Sequence, residues 1–278
     1  MADLAYYQYA LIALIFAWGG FVRSGLGFGG AVMSLPFLLL IDNQPLVFLP
    51  IIALHLLFFS FITVWQNSRK YRLAESQRIL LANHQDGAGA AVSANPKAMG
   101  TVDWAYLKKA LGIMIVPKLI GVFGLLTLPA TLMTAIIFGI VSIYAVSYIL
   151  NRPFKSNSKS LDVIFLMMGA YISGTSLIGA PLIIAVFATH VAKHLLRDTL
   201  FVLWFILVSI KTAAFIYAGV DMQLIHHLWL LPAATLGHVV GLRFHETILS
   251  GNTKVFYRVL GIALLVISAV GLLSVYVK

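Results

Sequence analysis

The chain has 278 residues, of which 61% are hydrophobic and only 10% are charged. Soluble domains are about half apolar and about one quarter charged, so this composition excludes an ordinary soluble protein and indicates a chain that lies mostly in lipid. The net charge of +10 does not indicate a nucleic-acid partner, because the basic residues are spread over short loops between apolar stretches. Cysteine is absent, which excludes disulfides and thiolate metal sites.

Seven apolar stretches approach the roughly 20 residues that a membrane-spanning helix needs: 5–22, 46–65, 104–126, 130–150, 198–219, 226–242 and 255–276. Two further stretches, 28–41 and 161–190, are apolar but short or interrupted. The long continuous runs lack the alternation of a β-barrel, and unpaired backbone groups are costly in lipid, so the predicted fold class is all-α. No Lys or Arg precedes the first stretch, which favours a retained span over a cleavable signal peptide.

The distribution of basic residues predicts the topology, because cytoplasmic loops carry an excess of Lys and Arg. Of the nineteen Lys and Arg residues, seven lie in 66–109, three in 151–160, two in 191–197 and three in 243–258. The connections 42–45, 127–129 and 220–225 contain none. We therefore expect a multi-pass protein of the cell inner membrane, with the basic loops inside and both termini outside.

This topology predicts two inverted repeats, 1–150 and 160–278. Residues 5–41 must begin and end outside and residues 161–190 must begin and end inside, so each forms a broken or re-entrant helix pair, followed in each half by three spans. Sequence patterns support the duplication. The stretch Ser24 to Gly30, followed by Pro36, corresponds to Ser173 to Ala180, followed by Pro181. Further on in each repeat, Pro117, Gly121 and Gly124 correspond to Pro232, Gly237 and Gly241. Residues 66–103 are expected to form a cytoplasmic loop, flexible in its second part.

Three of these motifs carry a resemblance to a known family. They are Gly27-Phe28-Gly29-Gly30-Ala31 with Pro36, Gly174 with Gly179-Ala180-Pro181, and Leu236-Gly237 with Gly241-Leu242-Arg243. In order and spacing over nearly the whole chain they resemble the sulfite exporter TauE/SafE family of membrane permeases. Ala31 and Ala180 stand where members of that family tend to have further glycines. The resemblance implies export of sulfite, a sulfonate or another small sulfur-containing or organic anion without ATP.

The glycine-rich breaks are the first part of the predicted site. A helix that begins in the middle of the membrane directs free N–H groups and a partial positive charge at an anion, and glycine lets the backbone approach it closely. The alternative is that these glycines only permit close helix packing. The predicted substrate-binding residues are Gly27, Gly29, Gly30, Thr175, Ser176, Gly179, Ala180, Lys118 and Lys211.

The polar side chains of this set have two interpretations each. Lys118 and Lys211 lie well inside predicted spans, where each either meets a bound anion or extends to the interface. Thr175 and Ser176 either bind an oxyanion or cap the following helix. Arg23, beside the first break, either attracts the anion or lies in the inner water layer, and the water layer is favoured.

The remaining features limit the function. The acidic residues fall in loops or at the ends of spans, so coupling through an intramembrane carboxylate is not expected. His55 and His238 either shuttle protons or are simply hydrogen-bonded. A phosphate-binding loop and a zincin motif are absent, so we expect neither an enzyme nor a cofactor nor a bound metal.

We therefore expect a secondary transporter that exports a small anion through a site near the bilayer midplane, between the two broken helices. The expected partners are that anion and the lipid bilayer, without nucleic acid. Gly121 and Gly124 serve either packing within the chain or a homodimer. The alternative functions are a membrane scaffold without transport or a channel for another small solute.

Overall fold

The computed structural model describes residues 4–26, 29–85, 100–152, 154–250 and 253–277, and within these ranges the chain is helical and contains no strand. The helices described are α1 Tyr6–Leu26, α2 Gly30–Ile41, α3 Pro45–Gln85, α4 Trp104–Thr127, α5 Ala130–Ile149, α6 Lys159–Ser176, α7 Ala180–His190, α8 Lys193–Tyr217, α9 His227–Ser250 and α10 Thr253–Val277. The predicted all-α fold is confirmed.

Within the described residues, six helical segments are long and apolar enough to cross a membrane: Pro45–Gln77, Trp104–Thr127, Ala130–Ile149, Lys193–Tyr217, Leu224–Phe244 and Tyr257–Ser274. They indicate a multi-pass membrane protein. Each contains or overlaps one of the predicted spans after the first. The first predicted span, 5–22, lies in α1, which has 21 residues and is not among the six.

The two interrupted stretches form helix pairs, α1 with α2 and α6 with α7, and each pair precedes three of the six long helices. Gly29 stands immediately before α2 with a φ of 83°, a left-handed conformation that glycine adopts without steric cost. The second break begins at Leu177, whose φ is 62°, and ends where Ala180 and Pro181 open α7. Proline suits a first helical turn because its missing N–H has no partner there. The opposite orientation of the two halves stays a prediction.

The predicted loop 66–103 is wrong over its first half, because α3 continues to Gln85 and is 41 residues long. Residues 66–85 contain no Gly or Pro and are rich in Arg, Leu, Ala and Gln, which favour a helix even in water. The charges in this segment end the apolar run without ending the helix. Residues 86–99 lie outside the described part of the chain.

The most extensive helix contacts join elements that are distant in the chain: α1 with α9, α4 with α6, α5 with α10, and α3 with α8. A smaller core lies among α4, α6, α7 and α8. A larger core draws most of its side chains from α1, α2, α3, α5, α9 and α10. The second break contributes Leu177 and Ile178 to the larger core, although α6 and α7 supply most of their other buried side chains to the smaller one.

Candidate functional site

The two helix breaks share a small cavity, which we call the break cavity. It has a volume of about 30 Å³, and its walls include Arg23 of α1, the first residues of α2, Ser173 of α6 and Ala180 at the start of α7. That volume holds about two water molecules. The first turns of two helices, one from each pair, thus contribute to a single space.

The backbone of these first turns is available for an anion. The first intrahelical bonds are accepted by Gly29 from Met33 in α2 and by Gly179 from Ile183 in α7. The N–H groups of earlier residues in each helix therefore have no intrahelical acceptor. Among the described residues, no side chain caps either helix. Helix N-termini of this kind bind anions through free donors and the helix dipole.

Arg23 is the charged side chain of the break cavity. It is only 6% exposed, so it does not lie in the inner water layer, where we expected it. Its guanidinium carbon lies 3.9 Å from the centre of the Phe59 ring. Its Nη2 atom is buried and has no hydrogen-bond partner among the described residues. Among the described residues, no carboxylate forms an ion pair with Arg23. The ion pair that the described structure shows joins His190 to Asp162.

Arg23 also lines a second space of about 30 Å³, the histidine cavity, together with Gly19, Ser34 and His55. Helices α3 and α8 run antiparallel, because Phe61 packs near Phe205 and, further along α3, Asn67 bonds the earlier residue Asp198 of α8. Their residues can therefore be used to compare the positions of the two cavities along the helix axes.

The histidine cavity reaches Ile52 and His55 of α3, whereas the break cavity reaches Phe201 and Trp204 of α8, which lie level with later residues of α3. The two spaces therefore extend in opposite directions along the helix axes. Arg23 lies at their junction.

Lys118 and Lys211 are both 0% exposed, so neither extends to a membrane interface. The Lys118 Nζ donates to the carbonyl of Ser173 at 2.9 Å and to its Oγ at 3.0 Å. The Lys211 Nζ donates to the carbonyls of Gly174 at 2.8 Å and Thr175 at 3.0 Å. These carbonyls end α6, where a cation is favourable next to the negative end of the helix dipole. The lysines thus complete α6 and line neither cavity.

The other predicted site residues divide by location. Gly29, Gly30 and Ala180 line the break cavity. Thr175 and Ser176 instead donate their hydroxyl protons to the carbonyl of Ile172, at 3.0 and 2.9 Å.

Gly179 packs on α6, since a Cβ there would lie 2.9 Å from the Gly169 carbonyl carbon. Gly27 lies outside the described residues. The substrate-binding role of all these residues stays a prediction.

The two buried histidines have partners in the protein. His55 Nδ1 lies 2.8 Å from the Ile51 carbonyl, and its ring stacks on that of His227 with centroids 5.0 Å apart. His238 Nδ1 lies 2.5 Å from Ser24 Oγ. This second contact joins α9 to the last turn of α1, just before the first break.

Sequence reasoning gave Arg23 too little weight and did not consider Ser173 as a side chain of the site. Both are only a few residues from a glycine-rich break. A basic residue so close to a break, inside an apolar helix and without a neighbouring acid, is the sequence signal that indicates a cavity-lining charge.

Compared with known proteins, the chain matches no family model, no curated protein and no solved structure. The site is therefore interpreted from its own geometry.

Proposed function

We propose that this chain is a secondary transporter of the TauE/SafE type that exports a small oxyanion, such as sulfite or an organosulfonate, through the break cavity. The observation that carries the proposal is the buried guanidinium of Arg23, which has no carboxylate partner in the described structure and shares a cavity with the first turns of α2 and α7. A buried unpaired cation is costly, and an anion bound beside it would offset that cost.

The surrounding charges favour an anion over a cation. Lys118 and Lys211 both bond the last turn of α6, next to Ser173 in the wall of the break cavity. None of the described residues that line the cavity is acidic. The helix dipoles of α2 and α7 add positive potential to the same space.

Two equivalent contacts support the proposed inverted repeats. Lys118 of α4 bonds Ser173 of α6, and His238 of α9 contacts Ser24 of α1. Each pair joins the fourth helix of one half to the first helix of the other.

The glycine packing follows the same pattern. A Cβ on Gly121, three residues after Lys118, would lie 3.2 Å from the Cα of Gly174. A Cβ on Gly241, three residues after His238, would lie 3.1 Å from the nitrogen of Gly25. This packing matches Gly121 with Gly241 and shifts the sequence alignment, which set Gly121 against Gly237, by about one turn.

Transport in this proposal requires relative movement of the two cores. The break cavity and the histidine cavity each hold no more than about two waters in the described conformation, so a larger anion requires them to widen. The break cavity draws its walls from helices of both cores. A shift between α3 and α8 would widen one cavity while it narrows the other, which gives alternating access to Arg23.

The test is anion flux in proteoliposomes, with sulfite, sulfate, sulfoacetate and acetate as the panel. The wild-type protein is expected to carry at least one of these anions. Arg23→Gln is expected to reduce that flux at least about 30-fold, because truncating one partner of a buried charge pair costs about 2–5 kcal/mol. Arg23→Lys is expected to retain part of the flux, since lysine keeps the charge but not the planar pair of donors.

The matched control is Arg72→Gln, which removes an exposed arginine of α3 away from both cavities. It is expected to leave flux unchanged. Undiminished flux in Arg23→Gln would refute the assigned site. No flux of any anion by well-folded wild-type protein would favour the scaffold or a channel for another solute.

A further inference from the structure

A groove of about 850 Å³ lies apart from the space around Arg23. We call it the α7 groove. Its walls are the end of α5, the connection after it, the outer face of α7 and one residue of α10: Ser147, Tyr148, Asn151, Phe154, Lys155, Ser156, Asn157, Pro181, Ile184, Ala185, Ala188, Thr189 and Tyr257.

The groove has an apolar part and a polar part. Along α7 it is lined by Pro181, Ile184, Ala185 and Ala188, a continuous apolar strip. The connection after α5 supplies several polar groups, including the exposed side chain of Lys155, and Ser147, Thr189 and the hydroxyls of two tyrosines add to them. The groove therefore has the polarity of a lipid molecule, with one apolar and one polar end.

The α7 groove lies between two helices that are apolar enough to cross a membrane, so its apolar part faces lipid. The segments Ala130–Ile149 and Tyr257–Ser274, which meet at the groove, are both apolar enough to cross a membrane. Side chains beside it, such as Val146 at 42% and Val259 at 62%, are exposed to whatever surrounds the bundle. An apolar space open at that level favours an acyl chain over water, because water there would lack hydrogen-bond partners.

The charge at the polar part favours an anionic headgroup. Lys155 lines the groove, and Arg152 and Arg258 are exposed nearby, with the Arg258 Nε donating to the Ile149 carbonyl at 3.4 Å. Of the described residues that line the groove, none is acidic. The carboxylate of Asp162, which Ser156 of the groove contacts at 2.5 Å, is also engaged by His190 at 2.8 Å. Basic pockets between membrane helices bind anionic lipid headgroups in this way.

The two short helices differ in their neighbours. In the described structure α2 contacts α5 and α10 as well as α1 and α3, whereas α7 packs chiefly on α6 and α8. The uncovered face ends at Pro181, next to Ala180 in the wall of the break cavity. A ligand in the groove would therefore contact the helix whose first turn forms the proposed anion site.

We propose that the α7 groove binds one anionic phospholipid, with its headgroup at Lys155 and an acyl chain along the apolar strip of α7. This inference does not depend on the proposed transport function. It requires only that the groove faces lipid and carries the charge described.

The test is native mass spectrometry of the purified full-length protein, equilibrated with equal amounts of phosphatidylglycerol and phosphatidylcholine. Wild-type protein is expected to retain one phosphatidylglycerol in preference. Lys155→Ala is expected to weaken that retention about five-fold, since one basic residue near the headgroup contributes about that factor. Ala188→Trp fills the apolar part and is expected to abolish it.

The control is Lys108→Ala, which removes an exposed lysine of α4 outside the groove and is expected to bind as wild type does. Because Lys155 is exposed in a connection, its variant folds even if the tryptophan variant does not. Equal retention of both lipids, or unchanged phosphatidylglycerol retention in Lys155→Ala, would overturn the proposal. A lipid-free dimer that dissociates in Ala188→Trp would instead assign the groove to a second copy of this chain.

Discussion

Two glycines of α4 provide the sharpest test of the described packing, because they lie three residues apart in the same helix and differ in what surrounds them. A Cβ on Gly121 would collide with the Tyr171 carbonyl oxygen and lie 3.2 Å from the Cα of Gly174. A Cβ on Gly124 would meet nothing within 4 Å. Alanine at Gly121 must therefore push α4 away from α6, whereas alanine at Gly124 fits without displacement.

The expected magnitudes follow from this geometry. Replacing a mid-helix glycine by alanine stabilises a helix by about 0.5–1 kcal/mol, and that gain is common to both variants. Overpacking in Gly121→Ala costs about 1–3 kcal/mol, so the two variants should differ by about this amount. For a protein of this size, that difference lowers the unfolding midpoint of Gly121→Ala relative to Gly124→Ala by about 2–10 °C.

The assay is the loss of monodisperse protein after heating in detergent, followed by size-exclusion chromatography. Gly124→Ala is expected at or slightly above the wild-type midpoint, and Gly121→Ala below both. Equal midpoints, or a higher midpoint for Gly121→Ala, would refute the close contact of α4 with α6. That result would also remove the basis for the bond between Lys118 and Ser173 one turn away.

Three further predictions follow from the same contacts. Lys211→Met leaves two carbonyls of α6 without donors and is expected to destabilise the protein by about 1–3 kcal/mol in the same heating assay, whereas a wild-type midpoint would show that the ammonium is dispensable. Asn67 and Asp198 form a hydrogen bond that joins α3 to α8, and the chain has no native cysteine, so the double variant Asn67→Cys, Asp198→Cys can form a single disulfide there. That disulfide is expected to stop anion flux until a reductant is added. Crosslinked protein that transports at the wild-type rate would contradict movement between the cores. A single cysteine in Tyr217→Cys is expected to react with an impermeant thiol reagent in intact cells and one in Lys159→Cys is not, and the reverse labelling would invert the predicted topology.

The helix breaks could be predicted from the sequence because their causes are local. Gly29 allows the first break through its own backbone freedom, and at the second break Pro181 fits a first helical turn wherever the chain is placed. The extent of α3 was missed for a related reason. The charges after Trp65 were taken as the end of the helix, although they end only its contact with lipid and their residue types favour further helical turns.

The partners of the buried cations could not be predicted, because they come from other helices. Lys118 and Lys211 bond carbonyls of α6 that are 55 and 36 or 37 positions away in the chain. The sequence shows no acidic residue close to either lysine in the chain, which suggested a bound anion as the group that neutralises their charge. Packing reveals a different solution, in which the carbonyl end of a broken helix receives both ammonium groups and leaves Arg23 as the cation of the cavity.

The measurement that tests the central claim most directly is a structure determined with selenite, a heavier analogue of sulfite that anomalous scattering locates. The account predicts one selenium peak beside the Arg23 guanidinium, between the first turns of α2 and α7. That peak should be absent in Arg23→Gln. A peak bound to Lys118 or Lys211 with the break cavity empty, or no ordered peak in the wild-type protein at concentrations that support flux, would contradict it.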